Sequence, residues 1–182
     1  MATRKEARKK SLLQMLALVV VAAVVIAVVV LAQSWLRNKP DPEPQDTTLT
    51  AEVGDREYEI HPYLVAQPGA EPAESDVQNV EVGEDESLTI TVPDHVFDHD
   101  WSAVLIYDDV AANDEVLHGP SESHTVEIPG SVDPVEDGAA RPKLVVVEIQ
   151  SVLIGHDDAG EETPFTTVWS VATQNAEGGD ES

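Results

Sequence analysis

The chain has no cysteine. That excludes a disulfide framework, a thiolate metal site, a cysteine nucleophile and a lipoprotein anchor, which needs a cysteine at its cleavage point. A domain of this kind must be held by its core alone. Aromatic residues make up only 4% of the sequence, which leaves Trp101 and Trp169 as the natural aromatic centre of any core. Cations are scarce beyond residue 39. From Pro40 onward the basic residues are Arg56, Arg141 and Lys143, against 34 acidic ones, a net of −31. Such a surface repels nucleic acid and anionic headgroups, so nucleic acid is excluded as a partner. It fits a domain kept soluble by charge, or one that works at high salt or beside divalent cations.

Catalytic motifs are missing too. Gly119-Pro120-Ser121-Glu122-Ser123 lacks the closing glycine of a nucleophile elbow. No glycine-rich loop is built to cradle a phosphate. Carboxylates are so common that pairs of them carry no signal for glycosidase chemistry. The reading is of a protein that is not an enzyme, with no catalytic residue and no cofactor. There is no internal repeat.

What is present is a long apolar run. Leu12 to Ala32 contains one polar residue, Gln14, and no charge. As a helix it would span roughly 32 Å, about the thickness of a bilayer's hydrocarbon core. Five basic residues (Arg4, Lys5, Arg8, Lys9, Lys10) precede it and two (Arg37, Lys39) follow. The positive-inside rule then places the N-terminus in the cytoplasm. A cleaved secretory signal is the competing reading, with Ala32-Gln33-Ser34 at the cleavage point, but the run exceeds a signal core of about 7–15 residues. Trp35 stands where interfacial aromatics anchor a retained helix. The expected organisation is a basic cytoplasmic tip (1–11), a transmembrane helix (12–36), a proline-rich linker (37–47), an extracytoplasmic domain (48–174) and a disordered acidic tail (175–182). Pro40, Pro42 and Pro44 forbid a helix in the linker and favour an extended spacer.

From Thr48 the pattern turns to short β-like runs. Thr48–Val53 and Arg56–Ile60 flank Gly54-Asp55, a hairpin signal. Pro62 ends or bends the second strand. Residues 67–76 read as loop, and Val77, Val80 and Val82 resume apolar character. Ser87–Val92 alternates, with Leu88, Ile90 and Val92 on one face. Trp101–Tyr107, apolar on both faces, reads as a central strand. Residues 108–123 read as a flexible polar stretch, and Thr125–Ile128 as a short strand. Lys143–Ile154 is the longest strand, with Val145, Val147, Ile149 and Leu153 facing the core. Gly155–Thr163 is a turn. Phe165–Thr173 closes the domain with Trp169 and Val171 inward beside Thr167. About eight strands without helical periodicity predict an all-β, Ig-like antiparallel two-sheet sandwich behind one N-terminal transmembrane helix.

Two clusters could hold a metal. Asp94, His95, Asp98, His99 and Asp100 follow a strand-ending proline, and two histidines four apart on a helix share a face. Asp157, Asp158 and Glu161 surround Gly160 and resemble the carboxylate density of a calcium loop, although the spacing misses the EF-hand pattern. For the first the alternative is a crossing loop, for the second an acidic hairpin turn. His61, His118 and His124 are isolated in sequence and read as surface residues.

The order of three segments resembles a known family. His61-Pro62-Tyr63-Leu64 follows the Gly-Asp hairpin. Leu88–Pro93 leads to Trp101 and Tyr107-Asp108-Asp109. Lys143–Ile154 is followed by Pro164 and Trp169-Ser170-Val171. This order is similar to an uncharacterised family of exported, membrane-anchored proteins of mycobacteria, corynebacteria and relatives, a domain of unknown function. The resemblance covers roughly residues 48–173 and implies an Ig-like domain of the actinobacterial envelope. It brings no activity, cofactor or catalytic residue. The expected function is that of a single-pass protein of the plasma membrane, held in the lipid bilayer through residues 12–36. Its domain would act outside the cell as an interaction or accessory module with an envelope protein or glycan partner. The alternative is a divalent-cation-binding or cation-stabilised envelope domain, and after it an unrecognised hydrolase.

Overall fold

The computed structural model describes residues 21–31, 42–134, 138–157 and 159–173, the side chain of Ala73 excepted. The chain divides into two compact units, one ending at Asp41 and one beginning at Pro42. In the first, residues 21–31 form a helix, α1, with every side chain exposed. Among the described residues no helix is long and apolar enough to cross a membrane. The rest of the expected span (12–20 and 32–36), the basic tip, residues 37–41 and the tail 175–182 lie outside the described residues.

The second unit is mostly β and sandwich-like, with two sheets. The hairpin β1 (Leu49–Val53) and β2 (Arg56–Ile60) forms around Gly54, whose φ of +58° suits the first central position of a type II′ turn. β1 then pairs with β6 (Ser87–Thr91), and β6 with β9 (Thr125–Pro129). These four strands are the small sheet. Pro62 ends β2, and the chain crosses to the other sheet with β3 (Leu64–Ala66). β4 (Ala73–Glu74) and β5 (Gln78–Val80) follow. The large sheet is completed by β7 (Trp101–Tyr107), β8 (Asp114–His118), β10 (Leu144–His156) and β11 (Glu162–Thr173). Its order is β4-β3-β11-β10-β7-β8, with β5 added to β11. All pairings are antiparallel except β5 with β11.

The buried residues come from the inward parity of both sheets. Leu49, Ala51, Val53, Leu88, Ile90 and Ile128 meet Ala103, Leu105, Val147, Ile149, Trp169 and Val171. Trp169 is fully buried and Trp101 nearly so, as the scarcity of aromatics implied. Tyr107 ties the sheets together by donating its hydroxyl to the carbonyl of Pro129 at 3.1 Å. Burial, and secondarily the charge of Asp114, pushes that phenol's pKa up.

Six expectations need correction. The loop read at 67–76 contains β4, and the stretch 108–123 contains a 3-10 turn (Val110–Ala112) and β8. Both added strands lie at sheet edges, where one side needs no apolar neighbour, so alternation is weak. Among the described residues, eleven strands replace about eight. Val145 does not face the core. Leu144 pairs with Tyr107 and Val146 with Ile106, so Val145 is the extra residue of a β-bulge, and Leu144 takes the buried place. β10 also runs on to His156 and β11 starts at Glu162, which shortens the turn between them.

The sixth correction concerns the spacer. Residues 42–47 are docked on the domain. Pro44–Asp46 forms a 3-10 turn with Pro44 buried. Thr47 is buried, and its carbonyl accepts a hydrogen bond from Trp169 Nε1 at 2.8 Å. Glu43 accepts from the backbone N–H of His156 at 3.0 Å and pairs with its Nδ1 at 2.7 Å. Proline forbids an α-helix but suits the first turn of a 3-10 turn, so the same residues that read as extended can form a short strap.

Candidate functional site

The two sheets present very different outer faces. Strand parity puts Thr50, Glu52, Glu57, Glu59, Thr89 and Glu127 outside on the small sheet, a solvated acidic surface. On the large sheet the outward residues of β10 include Val152 and Ile154, paired across to Thr166 and Pro164. The next row is Leu117, Ser102, Gln150, Val168 and Leu64, running from β8 through β7, β10 and β11 to β3. Leu117 is 72% exposed, Ile154 53% and Val152 50%. Exposed Leu117, Val152 and Ile154 thus stand in a band among Ser102, Gln150 and Thr166 on the outer face of this sheet.

A hollow of about 360 Å³ is sunk into this band. Leu117, Ser102, Gln150, Val152 and Thr166 line it, with His118 and Trp101 at one wall. The register explains it. β7 begins at Trp101, opposite Ser151, while the β10–β11 hairpin continues five residues further to His156. The sheet therefore steps down beyond Trp101, and Ser102 is too small to fill the step. The imidazole of His118 stacks on the Trp101 indole with ring centres 4.0 Å apart. Its Nε2 is buried without a hydrogen-bond partner.

The three described basic residues lie away from this region for a structural reason. Arg56 pairs with Glu86 at 3.0 Å and Glu81 at 3.3 Å, Arg141 with Asp85 at 2.8 Å, and Lys143 with Glu84 at 2.7 Å. The hydrogen bond that Lys143 donates to Glu84 raises its pKa. All three basic residues that the sequence places beyond residue 41 are thus engaged around the acidic turn before β6. Among the described residues, Glu115, Glu148 and Asp100, on and beside the large sheet's outer face, form no salt bridge with an arginine or lysine.

The clusters singled out in the sequence fall elsewhere. Asp94–Phe97 form one helical turn, α2, with Val96 buried beneath it. The two histidines have different partners. His95 Nε2 lies 2.8 Å from Thr47 Oγ1, and His99 Nδ1 lies 2.8 Å from the His95 carbonyl. Asp94 is exposed, 4.0 Å from His124, whose ring stacks on Phe97. Asp98 is the C-cap of the turn, and Asp100 offers its carbonyl to Ser151 Oγ. At the second cluster Asp157 Oδ1 accepts from the amides of Ala159 and Glu161, both at 2.9 Å, and Gly160 has a φ of +79°. Asp157 thus organises the hairpin turn through its own backbone. Asp158 lies outside the described residues. Among the described residues no three His, Asp or Glu side chains gather so as to hold a metal ion. His118 and His124, read from sequence as surface residues, are both half-buried and stacked.

At the end of the sandwich, the strap creates one perturbed pair. Hydrogen bonds from the His156 backbone and ring hold the Glu43 carboxyl below its ordinary pKa of 4.5. Glu43 in turn lifts His156 above its ordinary 6.5, helped by Glu162 and Asp157.

The band escaped the sequence reading because Leu117 falls in the stretch read as flexible and polar, and Pro164 falls between the turn and the last strand. One signal was available: Val152 and Ile154 lie on the parity opposite the core, where a solvated strand carries polar residues.

Comparison with known proteins gives one match. The profile of a family described as a protein of unknown function (DUF2771) covers residues 42–174. The chain belongs to that family. No curated protein and no solved structure matches. The matched region opens at the strap, where the second compact unit also begins.

Proposed function

We propose that this member of the family is a single-pass membrane protein displaying an Ig-like β-sandwich outside the cell. It works there as an interaction module of the envelope and not as an enzyme. The anchoring part rests on the uninterrupted apolar run to Ala32 and on the excess of basic residues before it. The Ig-like part rests on two sheets packed around a buried tryptophan. The observation that carries the interaction reading is the contrast between outer faces: polar and acidic on the small sheet, apolar and hollowed on the large one.

Site-specific photocrosslinking in native membranes tests it. A photoreactive residue at Val152 is expected to give discrete protein adducts, while one at Thr89 gives none. Equal adduct patterns from both faces would remove the basis for assigning the large sheet as the contact surface.

A further inference from the structure

The large sheet ends at β8, and only β7 pairs with it. The direction of its free backbone groups follows from one bond. The amide of Glu115 is accepted by Asp114 Oδ1 at 2.9 Å, so it points away from β7. Leu117, two residues on, shares that orientation, and its N–H and C=O face off the sheet. The outward amides of Glu115 and Gly119 are held by Asp114 Oδ1 and Glu122 Oε2, so a strand added at this edge pairs first at Leu117 and displaces those two carboxylates to extend.

Two features say which strand. The first is charge. Asp114 and Glu115 stand on the edge itself, Glu148 lies two strands in on the face of Glu115, and Arg56, Arg141 and Lys143 are engaged around the turn before β6. A second copy of this chain would bring another acidic edge and be repelled, whereas a basic segment finds uncompensated carboxylates. The second is the hollow. A strand laid beside β8 and continuing past His118 runs by the step where β7 and β8 stop and the β10–β11 hairpin continues. Leu117 and Val152 flank that step, and its walls are mostly apolar.

We infer that β8 is a docking edge for an extended, basic segment of a partner protein, which adds as a strand to the large sheet and places an apolar side chain in the hollow between Leu117 and Val152. The pairing uses main-chain hydrogen bonds for affinity and the hollow and the carboxylates for selectivity. This inference rests on the reading of the large sheet's outer face as the interaction surface and names the partner's chemistry. The acidic residues on β8 then do two things at once: they block self-pairing and select the sign of the partner.

The test uses the full chain in lipid nanodiscs. The probe is a short peptide of alternating lysine and valine. The controls are the glutamate–valine counterpart and a lysine–valine peptide broken by a central proline. The expected result is saturable, salt-sensitive binding of the first peptide alone, with new hydrogen-exchange protection at β8 and none at β2 or β9. Glu115→Lys should weaken binding roughly tenfold, since reversal replaces attraction by repulsion. Glu127→Lys on the small sheet should leave it unchanged. Equal binding of the proline-broken peptide, or protection spread over the small sheet, would overturn strand addition in favour of simple charge adsorption. Discrete crosslinks from Val152 that survive Glu115→Lys, with no peptide binding, would overturn it while leaving the interaction face standing. Loss of face-specific crosslinks would remove the face itself.

Discussion

Replacing Gly155 by alanine tests whether the strap belongs to the folded domain. A Cβ at Gly155 would lie 2.6 Å from Cδ of Pro44, 2.8 Å from its Cγ and 2.9 Å from Glu43 Oε2, where ordinary contact begins at 3.4 Å. The Glu43 side chain can swing aside, but the proline ring cannot without moving the 3-10 turn. Crowding of this kind costs about 1–3 kcal/mol. Without the strap the sign reverses. Gly155 lies in β10 and does not have a positive φ, so alanine fits its backbone and should be favoured by about 0.5–1 kcal/mol over glycine in a strand. The expected result is destabilisation in the native background and none after Pro44→Gly. The difference between backgrounds is roughly 1.5–4 kcal/mol by summing the two effects. Urea unfolding of the full chain in detergent micelles, followed by tryptophan fluorescence, reads both arms. An NMR titration adds a second readout, because a displaced Glu43 lets the pKa of His156 fall back toward 6.5. Stabilisation by Gly155→Ala in the native background, or the same cost in both backgrounds, would refute the docked strap.

Trp169→Ala should cost roughly 3–5 kcal/mol in the same unfolding assay, as for a fully buried large side chain. Trp169→Phe should cost about 1–3 kcal/mol, because the carbonyl of Thr47 loses its donor; a loss below about 0.5 kcal/mol would mean that this bond carries no weight. Thr167 is fully buried with its hydroxyl unpartnered, so Thr167→Val should raise stability by about 1 kcal/mol in a urea titration. The pH dependence of the strap follows from its pair. The raised His156 contributes fully below 6.5 and loses its contribution as pH climbs through its higher folded value. The lowered Glu43 contributes fully above 4.5 and loses it as pH drops through its lower folded value. Stability attributable to the pair should therefore peak between 4.5 and 6.5, and Glu43→Gln should flatten that peak in a pH series of melting curves.

Residues whose neighbours lie close in sequence were legible from the sequence. Gly54-Asp55 announces its hairpin because positive φ is a local demand. Leu88, Ile90 and Val92 announce their face because alternation is local too. Trp169 was placed correctly since an aromatic-poor chain has few candidates for a centre. Val145 was misplaced because a bulge is decided by register against β7, and no pattern within Leu144–Ile149 records it. Leu117 hid in a polar stretch because an edge strand lacks a second neighbour to impose apolarity. The strap hid because its proline pattern satisfies either an extended spacer or a short 3-10 turn, and the choice depends on Gly155, more than a hundred residues away. The histidine pair 95 and 99 had the right spacing for a shared helical face. Distant Thr47 and the local carbonyl of His95 fix its geometry instead.

The strap also settles how a pull on the chain enters the domain. From Glu43 to Thr47 the backbone lies against β10 and β11 of the large sheet, and at Leu49 it enters β1 of the small one. Tension applied at residue 42 would not reach β1 directly. It would first have to part Glu43 from His156, then lift Pro44 away from Gly155, then draw the Thr47 carbonyl off the Trp169 indole. The earliest of these contacts is exposed and quickly remade, and the last is dry. A load at residue 42 would thus meet these contacts in turn before it reached β1, and the bond between the Thr47 carbonyl and the Trp169 indole would be the step at which it entered the core.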